Sequence, residues 1–117
     1  MLRLWRATVN SRNGLAFALR SEQAVREEII ALLLALPLAY VIGATPMRRV
    51  ELVCAVMLVL VVELLNTAIE KLADRVTTEH DPKIGQVKDL GSAAVGVALV
   101  MAGGFWLFAL AERLGLL

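Results

Sequence analysis

Four polar residues recur along one apolar stretch of this sequence, "VELLNTAIEKLADRV" at residues 62–76. Glu63, Asn66, Glu70 and Asp74 fall within about 80° of one another at 100° per residue, so a helix gathers them on one face. The two glutamates are then about 10 Å apart along the helix axis. An ionisable group inside a membrane span costs roughly 2.5 to 3.5 kcal/mol on insertion scales, so this face marks a polar site or a buried contact.

The residues alone leave two interpretations of this polar face open. In the functional one, Glu63 lies in a polar site below the headgroup level, while Glu70 lies near the helix end, within reach of soluble ligands. In the structural one, Glu63 is an interhelical carboxylate that only fixes packing. Asn66 and Asp74 then join neighbouring helices or solvate a helix end.

A second group of residues that could bind ligands follows in the segment "TTEHDPKIGQVKD" at 77–89, namely Glu79, His80, Asp81, Lys88 and Asp89. Lysine beside carboxylates suits phosphate and a hydrated Mg²⁺, which needs only one or two carboxylates plus phosphate oxygens. A lone loop histidine is by default a solvated residue. The sequence has no Walker A pattern and no kinase glycine loop, so any nucleotide site must be of another kind.

The composition argues against a soluble domain. Of 117 residues 59% are hydrophobic, and the mean hydropathy is +0.73. The charged residues, 20% of the chain, are almost absent from residues 29–47, 52–62 and 90–111. This segregation is typical of a membrane protein. Cys54 is the only cysteine, which excludes an intrachain disulfide and a cysteine zinc site.

The elements that must position these residues are helices. Crossing a bilayer takes about 20 helical residues, and three runs qualify. We predict a single all-α integral-membrane domain over 1–117, with transmembrane spans at 29–45, 50–69 and 91–111 and a long loop at 71–89. Residues 1–28 mix arginines and glutamates with apolar residues, which predicts an amphipathic surface helix, broken near "NSRNG".

The distribution of lysine and arginine predicts the orientation in the membrane. Three basic residues would lie on one side: Arg48, Arg49 and Arg113. Nine would lie on the other: Arg3, Arg6, Arg12, Arg20, Arg26, Lys71, Arg75, Lys83 and Lys88. The amino terminus and the loop should therefore face the cytoplasm. Three helices cannot enclose a polar face that runs along one of them, so we also predict a homo-oligomer.

Two motifs bear a resemblance to a known family. "ELLNTAIEKLADR" has the order E-x-x-N-[ST]-A-I-E-x-x-x-D-R, and "KDLGSAAV" follows it. Together with "SRNGL" and "EQAVREE" they resemble the small bacterial integral-membrane diacylglycerol kinases. The resemblance covers nearly the whole chain. It implies a homotrimer of three-span subunits with an amino-terminal surface helix, which uses ATP and Mg²⁺ to phosphorylate diacylglycerol to phosphatidic acid and has no nucleic-acid partner.

The resemblance also implies a role for individual residues. Glu63 corresponds to the catalytic base, and Glu22 and Glu70 correspond to metal-coordinating carboxylates. Asn66 and Asp74 are supporting residues. The expected ATP-binding set is Arg3, Glu22, Glu70, Glu79, His80, Lys88 and Asp89. The expected lipid-substrate set is Arg3, Arg49, Glu63 and Ser92.

Two rival functions are kept. An undecaprenol kinase would share these motifs and differ in its lipid-facing residues, although "GSAAV" favours the diacylglycerol branch. A noncatalytic membrane scaffold would use the polar face only for packing between subunits. The scaffold leaves the acidic residues of the surface segment and of the loop unexplained.

Overall fold

The computed structural model describes all 117 residues, and it consists of helices and short connections. The four helices are α1 (Leu2–Ser21), α2 (Gln23–Ile42), α3 (Pro46–Val76) and α4 (Pro82–Arg113). The all-helical class predicted from the sequence is confirmed. Two local expectations are wrong. The long loop at 71–89 shrinks to residues 77–81, and α1 runs unbroken through "NSRNG", since the chain breaks at Glu22 instead.

The shorter loop has a local cause. Asp81 caps α4, because its carboxylate accepts hydrogen bonds from the backbone N–H groups of Lys83 (2.9 Å) and Ile84 (3.3 Å). Pro82 follows at the first helical position, where its missing N–H is not needed. The same pairing begins α3, where the Thr45 hydroxyl accepts from the backbone N–H of Arg48 ahead of Pro46. Charge in the 82–89 segment therefore does not prevent a helix.

Helix α3 lies between α2 and α4 and contacts both, whereas α1 contacts mainly α2. Small residues make the close contacts: seven of the ten buried hydrophobic residues are alanine. The largest buried side chain, Leu52, packs with Ala39 and Ala109, and the Trp106 indole donates a hydrogen bond to the Leu52 carbonyl (3.1 Å). The helices thus approach closely without a large core, as is common in membrane bundles.

The surface of the chain is unusually apolar. Only 12 of 117 residues are buried, and large hydrophobic side chains are exposed along every helix. Two helices, α3 and α4, are long and apolar enough to cross a membrane. Helix α2 carries Arg26, Glu27 and Glu28 in its first turns, so the span at 29–45 stays a prediction.

An ion-pair network joins α3 to α4 at the end of the bundle opposite the 77–81 loop. The Arg48 guanidinium donates to both carboxylate oxygens of Glu112 (3.1 and 3.3 Å) and to Glu51 (2.5 Å). It also lies 4.8 Å from the ring centroid of Phe108. A bidentate arginine–carboxylate pair is directional, so the contact between Arg48 and Glu112 favours one rotation of α4 against α3 at this end of the bundle.

Candidate active site

The candidate site begins at the break between the first two helices. Glu22 is in an extended conformation (φ −122°, ψ 115°) between the end of α1 and the start of α2. The Arg26 guanidinium donates to the backbone carbonyls of Leu19 (3.0 Å) and Arg20 (3.2 Å). These carbonyls lie in the last turn of α1, where a cation is favourable. Arg26 thus stabilises the bend between α1 and α2, here called the corner (residues 19–26), with Glu22 at its centre.

This corner is attached to α3 through Lys71. The Lys71 ammonium lies 2.8 Å from a carboxylate oxygen of Glu22 and 5.1 Å from the centroid of the Phe17 ring on α1. Lys71 directly follows Glu70 in the sequence. The ion pair therefore brings Glu22, one predicted metal-binding carboxylate, to the level of α3 that carries Glu70, the other one.

The polar face of α3 is partly enclosed by α4. The Asn66 amide donates a hydrogen bond to Glu70 (3.3 Å), while the Asn66 carbonyl oxygen is buried without any hydrogen-bond partner. That oxygen lies where the Cβ atom of any larger residue at position 91 would be. Only a glycine at 91 allows α4 to come this close to Asn66. Asn66 is thereby held between Gly91 and Glu70.

Glu63 lies deeper on the same face and is half-buried. Carboxylates from α2 share its surroundings. Partial burial raises the pKa of Glu28, and the negative charges of Glu63 and Glu27 raise it further. The site residues predicted from the sequence do not include Glu28, although its position at the boundary between the "EQAVREE" segment and an apolar run is a signal in the sequence. They do not include Gly91 either.

The end of the bundle beyond Glu70 is formed by Asp74 on α3, the 77–81 loop and the start of α4. The Lys88 ammonium of α4 donates to Asp74 (2.6 Å), so Lys88 is paired within the chain. A polar cavity of about 340 Å³ opens beside it. The cavity is lined by Thr77, Thr78, Glu79, His80, Asp81, Ile84, Gly85 and Lys88. Three predicted nucleotide-binding residues, Glu79, His80 and Lys88, therefore share one concave surface.

Other predicted site residues are not gathered in this chain. Arg3 lies about 28 Å from Glu22 along α1. Arg49 lies about 21 Å from Glu63 along α3, where it stacks on Tyr40 (4.2 Å) and donates to the Gly43 carbonyl (3.2 Å). Asp89 and Ser92 are exposed on α4. The binding roles of these four residues stay predictions.

The donor set at the corner suits Mg²⁺. No group of three or more His, Cys, Asp or Glu side chains converges in the chain, so a metal caged by protein ligands alone is not built here. Mg²⁺ prefers one or two carboxylates together with water and phosphate oxygens. Glu22 and Glu70 offer hard oxygen donors of that kind on two adjoining elements, and these two residues would hold the ion.

Taken together, the fold and the site define a small helical membrane protein with an acidic centre at one end of its bundle. Comparison with known proteins is specific. The family model described as prokaryotic diacylglycerol kinase matches residues 9–110, and the chain belongs to this family. The resemblance stated from its motifs is confirmed.

Several curated relatives carry the same name, diacylglycerol kinase. The protein of Escherichia coli (strain K12) is 40% identical over 113 residues, which cover 97% of this chain and 93% of the relative. That of Haemophilus influenzae is 37% identical over 100 residues (86% and 85%). That of Pseudomonas aeruginosa is 36% identical over 104 residues (89% and 85%). The predicted enzyme class, a kinase of this family, is confirmed.

Proposed function

We propose that this protein transfers the γ-phosphate of ATP to the primary hydroxyl of diacylglycerol, with phosphatidic acid as the product. The observation that carries the proposal is the shared face of α3. Glu63 and Glu70 lie on it about 10 Å apart in depth, with Asn66 between them and bonded to Glu70. The name of the relatives, diacylglycerol kinase, agrees with this proposal.

Each residue has a distinct task in this mechanism. Glu70 and Glu22 hold the metal ion, which supplies neutralisation of the phosphate charge when it is bound. Glu63 accepts the proton of the lipid hydroxyl, and it lies at the depth where an acylglycerol presents that group. Glu79, His80 and Lys88 bind the nucleotide from the loop cavity. Asn66 orients Glu70. Phosphoryl transfer depends mostly on such positioning and charge compensation.

The proposal includes membrane placement and assembly. The three spans are inferred from the apolar runs, the cytoplasmic amino terminus from the distribution of lysine and arginine, and the bacterial inner membrane from the family. A homotrimer would cover apolar side chains that are exposed along the helices. Analytical ultracentrifugation of active protein in detergent tests this, and an active monomer would contradict it.

The direct test of function offers the purified protein labelled ATP and two lipids, diacylglycerol and undecaprenol, side by side in mixed micelles. We expect Mg²⁺-dependent label in phosphatidic acid. Preferential labelling of undecaprenol would make the protein an undecaprenol kinase. Labelling of neither lipid would favour the noncatalytic scaffold.

Glu70→Gln tests the metal assignment. The amide keeps the shape of the side chain but removes a charged ligand, so we expect at least a tenfold rise in the Mg²⁺ concentration for half-maximal activity, with weaker nucleotide binding. Magnesium titrations at fixed ATP measure this. Glu51→Gln is the matched control, because Glu51 lies at the far end of the same helix. An unchanged magnesium requirement in Glu70→Gln would remove Glu70 from the metal site.

A further inference from the structure

Lys71 is the one cation that contacts a proposed metal ligand. Its ammonium is 2.8 Å from Glu22, and its side chain also lies over Phe17. The Lys71 side chain is 44% exposed and that of Glu22 is 27% exposed. Lys71 therefore contacts the corner while part of its side chain remains exposed to solvent. Neither the family motifs nor the proposed mechanism gives it a task.

We infer that Lys71 is a resident counter-cation of Glu22, which a divalent metal ion must displace before Glu22 can act as its ligand. The inference rests on the proposed metal-binding role of Glu22. It assigns Lys71 a regulatory effect: the lysine raises the metal concentration at which the site fills. It also keeps the corner between α1 and α2 against α3 while no metal is bound.

The physical argument is one of charge and geometry. The Glu22 carboxylate oxygen that faces Lys71 is occupied by a charge-assisted contact, and a bound metal would compete for the same carboxylate. Because Lys71 follows Glu70 directly on α3, its charge also lies near the second proposed ligand and repels a cation there. The pair is partly exposed, so it is weak enough to open. Once released, the ammonium is solvated and Phe17 remains as packing surface.

Metal binding, measured without turnover, tests this inference. Protein in detergent micelles is saturated with β,γ-methylene-ATP and titrated with Mn²⁺. The EPR signal of free aqueous Mn²⁺ is compared with that of a sample that contains the same detergent and nucleotide but no protein. We expect Lys71→Met to bind Mn²⁺ about three- to tenfold more tightly than the unaltered protein. Lys71→Arg keeps the cation and should leave the Kd within about twofold.

Two further variants separate competition from a general effect of charge. Lys83→Met removes a charge from an exposed lysine that has no ion-pair partner, and it should leave Mn²⁺ affinity unchanged. In a Glu22→Gln background, Lys71→Met should lose most of its effect, because the pair no longer exists.

The outcomes distinguish this inference from the proposed function. Suppose that Lys71→Met leaves the Kd for Mn²⁺ unchanged or raises it, while Glu22→Gln weakens Mn²⁺ binding. The counter-cation role of Lys71 is then overturned, and the metal site stands. If Glu22→Gln leaves the Kd unchanged, the metal role of Glu22 fails and the role of Lys71 fails with it. Labelled phosphate transfer to lipid, assayed separately, reports whether the kinase activity stands.

Discussion

Glu63→Gln is expected to give an assembled protein that still binds MgATP but has a kcat lower by about 10² to 10⁴, the usual contribution of a general base. Glutamine has nearly the same shape as glutamate and cannot accept the hydroxyl proton of the lipid. Glu63 is half-buried on the polar face of α3, below the Glu70 level, so the substitution also removes a negative charge from an acidic cluster. The fold should therefore tolerate it.

The measurement has two parts. Single-turnover transfer from labelled ATP reports the chemical step, and binding of a fluorescent ATP analogue reports the nucleotide site. Glu51→Gln serves as the control for loss of a carboxylate from α3 and should retain most activity, since its pair with Arg48 is partly exposed. Substantial turnover by Glu63→Gln would show that another group accepts the proton. Its neighbour Glu28 would then be the first candidate to test.

Gly91→Ala is expected to lower kcat more than tenfold and to destabilise the protein by about 1 to 3 kcal/mol. The added methyl group would overlap the buried Asn66 carbonyl oxygen. Either Asn66 must rotate away and lose its hydrogen bond to Glu70, or α4 must move away from α3. Both changes disturb the site, and the second also loses packing between the two helices. Thermal unfolding followed by circular dichroism and transfer assays measure the two effects.

Gly96→Ala is the matched control on the same helix. A methyl group at 96 meets nothing within 4 Å in the chain, and alanine favours a helix over glycine by about 1 kcal/mol. This variant should therefore be as stable as the unaltered protein or slightly more so. The double variant Gly91→Ala with Asn66→Ala should recover stability but not activity. Full activity of Gly91→Ala alone would show that the contact between Asn66 and Gly91 does not position Glu70.

The polar face of α3 can be predicted from the sequence because helical periodicity is a local property. Glu63, Asn66, Glu70 and Asp74 needed only the 3.6-residue repeat to be placed together. Where the prediction is wrong, at the loop and at the break in α1, local signals are outweighed. The sequence predicts a loop over 82–89, but the Asp81–Pro82 pair begins a helix there. It predicts a break near "NSRNG", but α1 continues through this stretch.

The sequence by itself therefore determined the all-helical class and the spacing of the carboxylates along α3, since both depend on residues within a few helical turns of one another. Only the tertiary structure decided which residues meet across helices. The Glu22–Lys71 pair, the Asn66–Gly91 contact and the Lys88–Asp74 pair join positions that are 49, 25 and 14 residues apart. Such contacts depend on how helices dock and rotate, and no local pattern encodes that geometry.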